Sequence, residues 1–184
     1  MEVISREYIQ QGVTVNLEYP VFSASKELNT AVEKDISWYL DTCIDECSGN
    51  NFDEGVLYVT YVPDYFTKDE VSFALEFYRY VGGANGITAV KTYNYSFKDG
   101  NWLSLSDVSA KSTGEISQEL SAALSAKYNP ENDAALESWI LEGTSPEKGN
   151  FENFTFNDKS ITFHYPKYEV LPGSYGVVSG EIAR

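Results

Sequence analysis

Residues 56–81 read VLYVTYVPDYF, then TKD, then EVSFALEFYRYV, and this stretch decides the fold class. Val71, Phe73, Leu75 and Phe77 alternate with Ser72, Ala74, Glu76 and Tyr78. A period of two with one apolar side predicts a strand packed on one face. Val56–Phe66 has the β-branched and aromatic composition of a second strand, and Thr67-Lys68-Asp69 joins the pair.

The clearest helix stands just upstream. From Lys26 to Cys47 the apolar positions are Leu28, Val32, Ile36, Tyr39, Leu40 and Cys43, in steps of three and four, and Glu27, Glu33, Lys34, Asp41 and Asp45 are left for the polar side. Ser23-Ala24-Ser25 supplies a cap. Before it, Tyr8–Tyr19 alternates at Val13, Val15 and Leu17 and reads as one strand ended by Pro20. Downstream, Gly82-Gly83-Ala84-Asn85-Gly86 is a loop, and Ile87–Phe97 is a strand closed by the hairpin signal Asp99-Gly100. Thr113–Tyr128 is a second amphipathic helix with Ile116, Leu120, Leu124 and Tyr128 on one stripe. Asn129-Pro130 breaks it, and Pro130 is expected to open a third helix through Ala135, Trp139 and Ile140. Gly143–Gly149 is a loop. Phe151–Phe156, Ser160–Tyr165 and Tyr175–Ile182 read as three final strands. The fold class is therefore α+β, with an antiparallel or mixed β-sheet and two to three helices packed on one face. No repeat or linker divides residues 1–184, which read as one compact unit.

The 184 residues suffice to bury a core, and 42% of them are hydrophobic, which separates the chain from disordered sequences. Fourteen Tyr against ten Phe suit half-buried strands or a binding surface. The net charge of −15 argues against nucleic acid and against an anionic membrane surface. It favours a basic partner, although an acidic proteome would produce the same balance. No apolar run reaches membrane-spanning length. Met1-Glu2-Val3-Ile4-Ser5-Arg6 lacks the basic start and apolar run of a signal peptide, leaving a cytosolic protein or the mature part of an exported one.

Little chemistry is visible. His164 is the only histidine and sits opposite in phase to Phe163 on a strand, with no Gly-x-Ser-x-Gly elbow anywhere. Asp107, Glu169 and Glu181 stand out no more than other carboxylates. Cys43 and Cys47 have neither zinc nor Cys-x-x-Cys spacing; on a helix their Cα atoms lie roughly 6 Å apart, which leaves both a disulfide and two free thiols open. Gly82–Gly86 lacks the lysine and spacing of a phosphate loop. No catalytic residue, metal site or cofactor is expected. The candidate contact residues lie in three loops: Asn51, Asp53 and Glu54 in Gly49–Gly55, Asn85 in Gly82–Gly86, and Glu147 and Lys148 in Gly143–Gly149.

Two stretches resemble a known family. One holds Gly82–Gly86, Tyr93-Asn94-Tyr95-Ser96-Phe97, Asp99-Gly100 and Leu103–Val108. The other runs from Phe154 through Phe163, Tyr165, Tyr168, Val170, Pro172-Gly173 and Gly176 to Ile182. They are similar to a bacterial extracellular family of unknown function. Its members include the lysozyme-binding ectodomains of anti-sigma-V factors and domains that precede peptidoglycan deacetylase domains. Residues 81–184 resemble the family domain itself and residues 1–80 its usual companion, the two packed together. The Tyr168-x-Val170-x-Pro172-Gly173…Gly176 signature reads as strand, Pro-Gly turn, strand. His164 departs from the apolar or aromatic residue usual there. The resemblance implies a non-catalytic, extracytoplasmic binding or sensor domain, whether secreted, lipid-anchored or tethered. Its implied partner is a basic protein such as lysozyme, with a carbohydrate or peptidoglycan-fragment ligand as the alternative and a carboxylate hydrolase behind both. Membrane contact would come only through an N-terminal anchor outside this sequence.

Overall fold

Gln11 and Gly12 have φ of +49° and +81°, so the expected single N-terminal strand is a hairpin. β1 (Glu2–Gln10) and β2 (Val13–Val21) pair antiparallel across this two-residue turn, from Gln10 opposite Val13 to Glu2 opposite Val21. A glutamine in the left-handed region is an uncommon turn residue, so the reversal leaves a weak sequence signal.

The computed structural model describes residues 1–146 and 149–184. After β2 come α1 (Lys26–Gly49), β3 (Gly55–Phe66), β4 (Glu70–Tyr80), β5 (Ile87–Ser96) and β6 (Asn101–Trp102). Helices α2 (Leu105–Val108), α3 (Thr113–Tyr128) and α4 (Ala134–Gly143) follow, then β7 (Phe154–Phe156), β8 (Ser160–Tyr165) and β9 (Val178–Ala183). The class is α+β as expected, and the strands form two sheets, one in the order β1-β2-β3-β4-β5-β6 and one in the order β7-β8-β9. The first sheet is mixed: β2 and β3 run parallel, joined through α1, while β1–β2 and β5–β6 are antiparallel. A parallel pair needs a long crossover, and α1 is that crossover.

Chain contacts divide the molecule into two units, Met1–Pro63 with Ala74–Lys91, and Asp64–Phe73 with Thr92–Arg184. Strands β3, β4 and β5 each contribute residues to both. In the first unit Ser25 caps α1, its hydroxyl accepting from Leu28 N at 3.1 Å, and Asn29 exchanges two hydrogen bonds with the Phe22 backbone. The predicted stripe of α1 is buried from Leu28 to Cys47, and Tyr39 stacks on Phe77 with ring centroids 4.1 Å apart. Gly55 is required where β3 begins, because an added Cβ would run into Cys47 Sγ.

In the second unit α3 lies against β9, where Gly180 leaves room for Leu120 and Leu124. Phe154, Phe156, Ile161, Phe163, Tyr165, Val170 and Val178 fill the same core. A buried polar chain joins its elements. Ser72 Oγ donates to Asn94 Oδ1 at 2.6 Å, Asn94 Nδ2 donates to Phe154 O at 2.8 Å, and Phe156 N donates to Ser72 Oγ at 2.7 Å. Every partner is satisfied, which is what makes such a network tolerable inside a core.

Three expected boundaries move. α4 begins at Ala134 rather than at Pro130, because Asp133 is the true cap, accepting from Ala135 N and Leu136 N. The strand expected from Phe151 is only Phe154–Phe156. The signature segment is not strand, turn, strand: residues 166–171 are irregular, Gly173–Tyr175 is a 3-10 turn, and pairing resumes at Val178.

Candidate functional site

A cleft of about 540 Å³ opens in the second unit, lined by Trp139, Glu142, Gly143, Gly149, Asn150, Glu152, Asn153, His164, Tyr168 and Glu169. Trp139 and Glu142 are three residues apart on α4, so they share one face of the helix. The direction of α4 is set at its start. Asn129 accepts from Asp133 N at 2.7 Å and donates to Asp133 O and to Glu137, whose carboxylate also accepts from Ser125 of α3. The helix ends at Thr144, which returns both its N–H and its hydroxyl to Ile140 O.

Gly143 sets the far wall. Its position leaves no room for a Cβ, which would meet Glu169 O and Val170. The end of α4 therefore touches the backbone of residues 169–170, and the side chains of both segments face one opening. Tyr168 has φ of +72°, a left-handed conformation that costs a non-glycine residue roughly 1 kcal/mol. Tyr168 is 68% exposed, yet its ring rests against Gly173, where any side chain would collide with it. The signature thus has a different physical meaning from the predicted one. Val170 and Leu171 are anchors in the core, Gly173 and Gly176 permit the return, and Tyr168 is held out over the cleft.

The polar groups are few and ordered. His164 shares a hydrogen bond with Thr155 Oγ1 through Nε2 at 2.9 Å, and its backbone N–H donates to Asn153 O. Burial holds its imidazole below the ordinary histidine range, against the opposing pull of Asp64, so the ring is neutral at neutral pH. Partial burial pushes the Glu169 carboxyl upward. Tyr165 is buried, its hydroxyl has no hydrogen-bond partner, and burial and the Glu169 charge both push it up. Asn150 donates to Ser145 O at 3.2 Å, tying the loop that flanks the opening. Among the described residues, no group of three or more His, Cys, Asp or Glu could hold a metal ion.

The residues expected from sequence fall elsewhere. Asn51, Asp53, Glu54 and Asn85 are all exposed in the first unit. Their two loops are neighbours: Asn50 donates to Val81 O at 3.2 Å, and the Phe52 ring lies on Gly82. Glu147 and Lys148 lie outside the described residues. Of the three carboxylates singled out, Glu169 lines the cleft; Asp107 accepts from the Ser104 hydroxyl and backbone in a helix cap; Glu181 is exposed on β9 opposite Thr162. Trp139, Glu142 and Glu152 carried no individual signal, because their meeting depends on the packing of α4.

Comparison with known proteins covers the same residues. Residues 104–184 match the family model described as a protein of unknown function, DUF3298. That region contains every residue lining the cleft and bears out the resemblance read at the C-terminus. A crystal structure of a DUF3298 family protein from Pseudomonas aeruginosa PAO1 superposes with a TM-score of 0.71 at 20% identity, covering 99% of this chain and 89% of that one. A second, from Bacteroides fragilis NCTC 9343, gives 0.64 at 18%, with the same coverages of 99% and 89%. Both share the fold. In sequence, the chain is similar to the peptidoglycan-N-acetylmuramic acid deacetylase PdaC of Bacillus subtilis strain 168, at 29% identity over 174 residues, 91% of this chain. It spans 37% of that relative's length. Among the described residues no helix is long and apolar enough to cross a membrane.

Proposed function

We propose that the protein is a non-catalytic, extracytoplasmic binding module whose DUF3298 cleft takes a cell-wall glycan. One observation carries this reading: two aromatic rings, Trp139 and Tyr168, stand partly exposed at an opening whose lining also includes the amides of Asn150 and Asn153 and three carboxylates. Sugars are bound by that combination, the apolar ring face stacking while amides and carboxylates take the hydroxyls. The likeness to a peptidoglycan deacetylase supports a ligand in the wall. Titration with soluble peptidoglycan fragments tests the reading. Saturable binding that Trp139→Ala weakens is expected; no binding at millimolar fragment would end it.

A second reading, capture of a basic protein such as lysozyme, is favoured by the net charge of −15 and by the exposed Asp53 and Glu54 beside the loop of Asn85. Its test is lysozyme binding at low and moderate salt. No binding at micromolar protein in low salt excludes it.

A further inference from the structure

A second opening, of about 360 Å³, adjoins the glycan cleft within the same unit, and Glu152 lines both. The segment around Glu152 is shared out between them: Asn150 and Asn153 line the first, Phe151 and Phe154 the second. The two openings differ in character. Phe151 and Phe154 are core residues, and Leu103 and Leu105, which complete the floor of the second opening, pack against that core. The Leu103 backbone N–H donates to Asn94 O at 2.9 Å and fixes its place. Trp102 forms the rim. It is 39% exposed, yet its ring is positioned by the edge-on contact with Tyr95 at 5.3 Å and by Tyr93 at 6.5 Å.

The polar groups of this second opening are largely engaged within the protein. The Asn94 amide accepts from Ser72 and donates to Phe154 O, and the Ser104 hydroxyl donates to Asp107 in the cap of α2. A sugar ring carries a polar substituent on nearly every carbon, and seating one here would strip water from groups that find few partners. A methyl-bearing substituent loses nothing on entry and gains by covering the floor and the Trp102 ring. We infer that the second opening takes the short peptide borne by a wall sugar, an alanine methyl lying against Trp102 and Phe151, while the sugar itself sits in the first. The ligand of the pair of openings is then a peptide-substituted glycan, not a bare one. Its two parts reach adjoining openings across Glu152, so the second contact forms at high effective concentration once the first is made.

This inference rests on the glycan reading, and one experiment separates their failures. The full chain is titrated with the disaccharide N-acetylglucosaminyl-N-acetylmuramic acid and with the same disaccharide carrying L-alanyl-D-isoglutamine on its lactyl group. Each ligand bears a single carboxylate, so charge does not distinguish them. The peptide-bearing form is expected to bind about tenfold tighter. Trp102→Ala should erase that advantage, with circular dichroism as the check on folding, and Trp139→Ala should weaken both ligands alike. A readout on the unaltered chain guards against a misfolded variant. The indole N–H resonance of Trp102, one of three tryptophans, should shift with the peptide-bearing ligand alone, and that of Trp139 with both. Equal affinity for the two ligands, or a peptide gain that leaves the Trp102 resonance in place, overturns the inference while the glycan reading stands. If neither ligand nor any soluble peptidoglycan fragment binds, the glycan reading falls and the inference with it.

Discussion

The paired loops of the first unit and the cleft of the second are built by opposite means. Each loop is continuous in sequence, rich in glycine and asparagine, and exposed wherever its candidate residues fall. The cleft draws on α4, on residues 149–153, on β8 and on residues 168–169, which no local pattern connects. Loops announce themselves because their backbone needs special residues. A cleft is a product of packing, and its lining residues look ordinary one by one.

A glycine marks the start of both regions, and replacing it separates them most sharply. Gly143→Ala is expected to destabilise the protein by about 1–3 kcal/mol and to close the cleft, because the new methyl must displace the 169–170 backbone. Gly49→Ala, with nothing near its Cβ at the end of α1, should be neutral or stabilising by up to about 1 kcal/mol. Chemical denaturation of both variants checks this. If Gly143→Ala were as mild as Gly49→Ala, the cleft wall would not depend on that contact.

Binding separates the regions next. Trp139→Ala should weaken a glycan about tenfold and leave lysozyme unaffected, whereas Asp53→Asn with Glu54→Gln should do the reverse, read by calorimetry. A smaller effect is expected at Tyr168. Tyr168→Asn relieves the left-handed strain and should raise stability by about 0.5 kcal/mol while reducing glycan binding. A loss of stability there would mean that the contact with Gly173 outweighs the backbone cost.

The smallest effect is one of pH. His164 binds its proton less readily when folded than at the ordinary value of 6.5, so the unfolded chain holds more protons as pH falls. Stability should decline as pH drops below about 7, with the loss growing until the folded pKa is passed. Glu169 and Glu76, both raised by burial, act in the opposite sense above their ordinary 4.5. The difference between wild type and His164→Gln isolates the histidine: the variant should show a flatter decline between about pH 7 and 5.

Where residues meet their neighbours locally, the fold was legible. The α1 stripe, the β4 alternation and the Asp99-Gly100 hairpin follow from period and turn chemistry, and they stand where expected. The turn at Gln11 was not legible, because glutamine rarely takes positive φ. Neither was the start of α4: Pro130 suits a first helical turn in general, while Asp133 and Asn129 supply the hydrogen bonds that place it here. At the site, Glu169 was visible only as one carboxylate among many, and Trp139 only as an apolar helix residue. The contact at Gly143 that draws them together is long-range, and its sole trace in the sequence is a glycine already accounted for as a loop boundary.

Cys43 and Cys47 close the comparison from the other side. Both are buried free thiols in α1, Cys43 donating to Val56 O, and burial pushes its thiol up to about 11. So little thiolate exists at neutral pH that alkylating reagents should meet an inert pair in the folded protein. Both sulfurs belong to the first unit and Trp139 to the second. Thiol labelling therefore clocks the opening of α1, and tryptophan emission, with Trp38 and Trp102 replaced, follows α4. Run side by side, the two signals would tell whether the chain melts as one cooperative block or lets one half go first.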